Sequence, residues 1–300
     1  LVSVYDVLAE AAQLVAEKHG ATVADTVDAV LTDDIDAVLI ASSTDTHVEL
    51  ITAAAKAGKA VLCEKPIDLD IGRVERCKAE IAAYDVPVQI GFQRRYDPTH
   101  RAVYDAVKAG EVGDVQQVVI TSRDPELAPM TYLKGSGGLY RDMMIHDFDL
   151  ARFVLGEEPV EVMAMGSVLI DQELKSINDI DTAMVLMRTA SGKQCHINCS
   201  RTAVYGYDQR LEVFGSKGMV QSGNRRGTMI ERYTVSATQQ LDPLLYFFID
   251  RYPEAYVNEL NDFIDAVEQK RTPAVTFEDG RRALLLADAA NESLRSGAVA

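Results

Sequence analysis

The hydrophobic rhythm of the chain changes about a third of the way along. Leu1-Val2-Ser3-Val4-Tyr5 reads as a strand ending at Asp6, and the spacing from Ala9 to His19 predicts a helix closed by Gly20. Ala37 to Ala41 is continuously apolar, the pattern of a strand buried on both faces of a parallel sheet. Thr46-His47-Val48-Glu49 has the spacing of a capping box and opens a helix that ends near Gly58. A strand over Ala60 to Cys63, a helix over Ile71 to Ala83 and a strand over Val86 to Phe92 follow. Strands alternating with helices of this length predict βαβ units. The fold class is therefore α/β, with a Rossmann-type doubly wound sheet over residues 1–97.

Beyond Arg95-Tyr96-Asp97-Pro98 the pattern is different. A helix over Thr99 to Ala109 leads into a strand from Val115 to Ser122, then a helix that carries Asp142 and His146 and ends near Gly156. Strand patterns then recur without helices at Val160 to Val168, Thr182 to Arg188, Gln194 to Ser200, Gln209 to Phe214 and Met219 to Ser222. Ser191-Gly192 and Ser216-Lys217-Gly218 supply turns between them. Residues 98–300 thus read as an α+β domain with an open, mainly antiparallel sheet. Tyr256, Leu260, Phe263, Ile264 and Val267 form a helical apolar stripe, and Thr276-Phe277-Glu278-Asp279 caps the last helix. The face of the second sheet that no helix covers predicts a homo-oligomer if its outward residues are apolar.

One element of the first domain is missing from the pattern. A dinucleotide fold carries G-x-G-x-x-G in its first strand-to-helix turn, with an acidic residue about 20 positions later. Asp6 stands where that acid belongs, and no glycine-rich turn precedes it. The first strand of such a sheet is central, so its loss would split the sheet and expose the strand from Val38 to Ile40. The expectation is a preceding strand, turn and helix of about 25–30 residues.

Composition narrows the function classes. The 300 residues are 47% hydrophobic and 25% charged, as in an ordinary globular protein, and exceed the usual single-domain size. A net charge of −16 argues against a nucleic-acid backbone or an anionic membrane as partner. No apolar run approaches the roughly 18 residues of a membrane helix. Cys63, Cys77, Cys195 and Cys199 have no Cys-x-x-Cys pairing, so neither a disulfide framework nor a zinc site is expected, and a reducing cytoplasm is the simple setting.

Four stretches carry candidate chemistry. Asp6 could accept hydrogen bonds from the ribose hydroxyls of NAD and repel the 2′-phosphate of NADP, or it could cap a helix. Ser42-Ser43-Thr44-Asp45-Thr46-His47 follows a buried strand at its carboxyl end, where open α/β sheets bind ligands, although capping alone would explain Thr46 and Glu49. Glu64-Lys65-Pro66 also follows a buried strand. Its lysine could give up a proton, hold a substrate oxygen, or simply be a solvated surface lysine. Asp142 and His146, four residues apart, would share a helix face that Asp149 can join. Such a pair is often a surface ion pair or a satisfied core histidine. His100 and His196 lack comparable context and read as structural. Asp142, His146 and Asp149 could face one metal ion, but they lie along a helix beside a proposed cofactor cleft, and no metal is expected.

Glu64-Lys65-Pro66, Gly91-Phe92-Gln93-Arg94-Arg95-Tyr96-Asp97-Pro98 and Asp142-x-x-x-His146 together resemble the Gfo/Idh/MocA oxidoreductases. Arg94-Arg95-Tyr96-Asp97, Ser122-Arg123-Asp124-Pro125 and Tyr205-Gly206-Tyr207-Asp208 make the bacterial myo-inositol 2-dehydrogenases, as a group, look nearest within that family. The resemblance covers the chain from Leu1 onward. It implies an NAD-dependent dehydrogenase of a cyclic polyol and a tetrameric assembly. It also implies a catalytic set of Lys65, Asp142 and His146, with a cis bond between Lys65 and Pro66. Asp6, Ser43, Thr44, His47, Glu64, Lys65 and Gln93 match cofactor-side positions, and Arg94, Asp124, Asp149 and Tyr207 match substrate-side ones. Ser122 departs from related inositol enzymes, which can carry histidine there, and leaves another inositol isomer or an aldose as alternative substrates.

In that frame His146 is the base, because an imidazole titrates near neutral pH. Asp142 orients it and stabilises its charged form, and Lys65 stabilises the developing alkoxide. Two other classes compete: a silent sugar or dinucleotide sensor on the same scaffold, and a ligand-free structural subunit. The first would be expected to lose Lys65 or His146, and the second gains nothing from a charged rim.

Overall fold

The computed structural model describes residues 1–32 and 34–300. The chain divides into two compact units, Leu1–Gly91 with Leu260–Arg281, and Phe92–Glu259 with Arg282–Ala300. The boundary after residue 97 read from the sequence thus moves to Gly91, and a late segment returns to the first unit. Side chains explain that return. Phe263 packs with Ala60 and Leu62, and Thr276 forms an antiparallel bridge with Gln89. Gly280 leaves no room for a side chain, since a Cβ there would lie 2.7 Å from Ile67 and 3.1 Å from Ile90.

In the first unit, strands β1 (Ser3–Val4) and β2 (Thr22–Val23) pair in parallel, joined through helix α1 (Ala9–His19). Gly20 ends α1 with φ 69° and returns its N–H to the Ala16 carbonyl, as its position predicts. A short helix α2 (Val27–Val30) precedes strand β3 (Ala37–Ile40). Helix α3 (His47–Lys56), strand β4 (Ala60–Glu64), helix α4 (Ile71–Ile81) and strand β5 (Val88–Gly91) complete a parallel sheet in the order β3-β4-β5. The parallel strands fall into two separate sheets, β1-β2 and β3-β4-β5. β3 is an edge strand as a result, and Leu39 is 62% exposed rather than buried on both faces. The expected capping box at α3 does not form. Thr46 turns its hydroxyl to the Ser43 carbonyl at 2.7 Å, and Glu49 pairs with Arg73 at 2.9 Å.

The second unit opens with helix α5 (Pro98–Lys108), whose N-terminus Asp97 caps by accepting from the N–H groups of Thr99 and His100. Strand β6 (Val115–Arg123) follows, then helices α6 (Met130–Leu133), α7 (Leu139–Asp142) and α8 (Ile145–Leu155). Strands β7 (Pro159–Ser167), β8 (Thr182–Thr189), β9 (Gln194–Ser200), β10 (Asp208–Gly215) and β11 (Gly218–Ser222) come next. Among the described residues these form one sheet in the order β11-β10-β6-β9-β8-β7. Every neighbouring pair is antiparallel except β6 with β9, so the sheet is mixed and mostly antiparallel. Strand alternation sorts its faces. On β8, Ala183, Val185 and Met187 point into a core with Leu150, Val154 and Leu155 of α8, while Met184 and Leu186 are exposed.

A small hairpin of β12 (Glu231–Arg232) and β13 (Gln240–Leu241) leads to helices α9 (Phe248–Arg251), α10 (Pro253–Glu268) and α11 (Phe277–Ser296). The buried stripe of α10 is shifted from the one read in the sequence. Ala255, Glu259, Phe263 and Ala266 are buried, whereas Leu260 and Ile264 are exposed. The predicted cap of α11 forms: Asp279 accepts from the Thr276 N–H at 2.8 Å, and the Thr276 hydroxyl accepts from the Asp279 N–H at 3.3 Å.

Candidate active site

The first unit places its candidate residues at the carboxyl ends of its parallel strands. Asp6 follows β1 and is exposed, with one carboxylate oxygen accepting the Leu8 N–H at 2.8 Å. Ser43 and Thr44 follow β3 in a 3₁₀ turn, with Ser43 exposed and Thr44 half-buried. His47 is buried, and its ring is used inside the fold. Its Nδ1 lies 2.7 Å from the Pro66 carbonyl oxygen and its Nε2 3.1 Å from that of Ser42. Any influence of His47 on a cofactor therefore passes through the two loops that it ties together.

Glu64 and Lys65 follow β4 and are half-buried, and the Lys65–Pro66 bond is cis, as the resemblance implies. Glu64 lies against Gly91 of the neighbouring strand, where a Cβ would approach its carboxylate to 2.9 Å and its Cα to 3.2 Å. Burial raises the Glu64 carboxyl above its ordinary range, with Lys65 pulling the other way.

The second unit collects its charges in a buried cluster. Arg94 donates to Asp147 at 2.6 Å and to the Ser122 hydroxyl at 3.3 Å. Burial lifts the Asp147 carboxyl to about 6 against the opposing charge of Arg94. Asp124 is lifted by burial to about 7, with Arg94 again opposing and Asp142 adding to the rise. Tyr207 packs edge-on against Phe247 and Tyr252, and Arg94 lies over the Tyr252 ring. Gln93 is buried beside Arg94. Ser122 is fully buried and donates to Gln209 at 3.2 Å, so this departure from related enzymes lies beneath Arg94.

The stretch from Asp142 to His146 is not one helix. Leu139 offers its carbonyl to the N–H groups of both Met143 and Met144, which widens the turn by one residue between α7 and α8. Asp142 and His146 therefore stand on either side of this irregular turn rather than within one continuous helix. Asp142 is buried at the end of α7, accepting from the Tyr132 hydroxyl at 2.7 Å and from Arg201 at 3.2 Å. His146, in the first turn of α8, is half-buried with its ring edge-on to Phe92 at 5.9 Å.

Asp149 lies in a salt-bridge cluster of its own. It is buried and gripped by Arg95, with contacts of 2.7 and 2.5 Å, and Arg152 stands 3.5 Å away. Arg95 also lies over the Phe153 ring. That ion pair engages both oxygens of the Asp149 carboxylate. Asp147, Arg201, Tyr132 and Tyr252 were missed as site residues. Asp147 directly follows His146, and Arg201 directly follows a strand end, which were the available signals.

Comparison with known proteins bears on this geometry. Residues 1–92 match the sequence model of the oxidoreductase family with an NAD-binding Rossmann fold, and residues 100–221 that of the GFO/IDH/MocA C-terminal domain. An inositol 2-dehydrogenase of Rhizobium meliloti (strain 1021) is 49% identical over 295 residues, which cover 98% of this chain and 89% of the relative. The chain belongs to the Gfo/Idh/MocA family. Solved dehydrogenase structures share its fold. The crystal structure of a myo-inositol dehydrogenase from Corynebacterium glutamicum superposes with a TM-score of 0.97 at 44% identity, covering 100% of this chain and 90% of that one. A scyllo-inositol dehydrogenase from Lactobacillus casei, solved with bound NAD(H) and scyllo-inositol, gives 0.91 at 28% identity, covering 100% and 90%. No helix among the described residues of this Gfo/Idh/MocA chain is long and apolar enough to cross a membrane.

Proposed function

We propose that this protein is an NAD-dependent dehydrogenase that oxidises a secondary ring hydroxyl of a cyclic polyol. Myo-inositol is the first substrate and 2-keto-myo-inositol, scyllo-inosose, the product. The observation that carries the reading is the 49% identity, over nearly the whole chain, to an inositol 2-dehydrogenase. The first unit's own residues fit the cofactor. Asp6 presents an exposed carboxylate of the kind that accepts ribose hydroxyls, and the hydroxyl-rich turn after β3 is open. The negative charge of Asp6 favours NAD over NADP.

NAD, when bound, supplies the hydride acceptor. The rest is the work of side chains. His146 takes the hydroxyl proton as the hydride leaves the carbon, and the oxygen becomes a ketone. The Lys65 ammonium stabilises the negative charge that develops on that oxygen. Asp142 stabilises the imidazolium and fixes its orientation. Arg94, Asp124 and Tyr207 recognise the remaining ring hydroxyls, Asp124 as donor or acceptor according to its protonation. Ser43, Thr44, Glu64 and Gln93 line or flank the cofactor's place, and Asp149 serves by holding Arg95.

The test is the rate of NAD reduction by the purified protein across a panel of inositol isomers and aldoses. Fast turnover of myo-inositol supports the reading, and a flat absorbance trace across the panel would replace it with a sensor.

The exposed face of the second unit's sheet supports a homo-oligomer, a tetramer by the family resemblance. Met165 stands opposite Met184 and Met163 opposite Leu186, all exposed, and Phe214 and Met219 repeat the pattern at the other edge. Light scattering after gel filtration checks this: Met184→Glu should dissociate the assembly. The four buried, unpaired cysteines suit a reducing cytoplasm.

A further inference from the structure

Arg201 directly follows β9 and is 2% exposed. One of its terminal nitrogens donates to Asp142 Oδ2 and the other to Asp179 Oδ2, each at 3.2 Å. Asp179 in turn accepts, through its other oxygen, the Leu139 N–H at 2.8 Å. Leu139 is the first residue of α7 and Asp142 the last. The pair Arg201–Asp179 therefore clamps both ends of one helical turn. A close approach of backbone makes the clamp possible: Gly138 has φ 83°, and a Cβ there would lie 2.9 Å from the Asp179 carboxylate.

We propose that Arg201 is a positioning residue for polyol oxidation. It acts through Asp142, aiming that carboxylate, while Asp179 fixes the guanidinium that does so. The inference rests on the dehydrogenase reading above. One buried guanidinium bridges the two carboxylates, and the Tyr132 hydroxyl holds the other oxygen of Asp142. Without the guanidinium, the positive charge between Asp142 and Asp179 is lost, and with it a contact that sets the orientation of Asp142. A rotated Asp142 no longer stabilises an imidazolium at His146.

The test compares wild type, Arg201→Gln, Arg201→Lys, Asp179→Asn and Asp142→Asn by kcat, by the NAD KM and by the pH dependence of kcat/KM. Arg201→Gln should lower kcat about tenfold or more and move the acidic limb of the profile up by about one pH unit. The NAD KM should stay within about twofold. Arg201→Lys, which keeps the charge but not the fork, should leave the limb near its wild-type place while still slowing turnover. Asp179→Asn should reproduce part of the kcat loss. A folded Arg201→Gln with wild-type kcat and an unmoved limb overturns the proposal. If Arg201→Gln does not fold, wild-type kcat in both Arg201→Lys and Asp179→Asn overturns it equally. An unimpaired Asp142→Asn would remove the role through which Arg201 acts and overturn the proposal, whereas a wild type without turnover would remove the dehydrogenase reading on which the inference rests.

Discussion

The candidate residues of the two units solve opposite problems. In the first unit Asp6 and Ser43 are exposed, and Lys65 is half-buried after the end of β4. Backbone geometry shapes this rim, with Gly91 making space for Glu64 and His47 tying two loops. In the second unit Arg94, Asp142, Asp147 and Arg201 are buried and locked into ion pairs. An open rim suits a long cofactor, which needs a backbone it can approach and hydroxyls it can meet. A closed, charged cluster suits a small polyol, whose hydroxyls are recognised only by groups already fixed and desolvated. Charge burial is the cost, visible in the raised carboxyls of Asp124 and Asp147.

That contrast can be broken by substitution. The largest effect is expected at Asp147: Asp147→Asn leaves the Arg94 guanidinium buried without its partner charge, a loss of about 3–5 kcal/mol. Thermal melting should show a fall of roughly 6–15 °C. An equal fall for Asp6→Ala would erase the difference between the units. Next come Lys65→Ala and Asp142→Asn, each expected to reduce kcat by about 10²-fold or more, read from steady-state rates. Asp6→Ala should act on the cofactor alone, raising the NAD KM by about tenfold and narrowing the preference over NADP, with kcat little changed.

The smallest effect concerns pH. The Asp124 carboxyl titrates at about 7 in the folded chain, above its unfolded value, because it is buried. Between those values the native state keeps a proton that the unfolded chain has lost, so stability falls as pH rises through that window. Asp124→Asn should melt with wild type at about pH 4 and above it by about 3 °C at about pH 8. A gap that does not grow with pH would place Asp124 outside the desolvated cluster.

Periodicity was a good guide to the fold because β4 and β5 are buried on both faces while β8 alternates, so continuous and alternating apolar runs mark different sheets. It misplaced the stripe of α10, where Leu260 and Ile264 proved exposed, since a helix with apolar residues on two faces does not declare which one is buried. The site was legible where a motif lies in one short stretch, as at Glu64-Lys65-Pro66. It was illegible where partners are distant. Nothing near Asp149 announces that Arg95, 54 residues earlier, takes its carboxylate. Spacing alone also could not reveal the widened turn between Asp142 and His146, because four residues separate them in either geometry.

The account turns on His146 as the group that moves the proton. The most direct measurement is turnover of His146→Ala with myo-inositol and NAD both saturating, beside wild type. A fall in kcat of about 10²-fold or more, with NAD binding retained, is the predicted result. Turnover close to wild type would take His146 out of the proton path and with it the proposed division of labour.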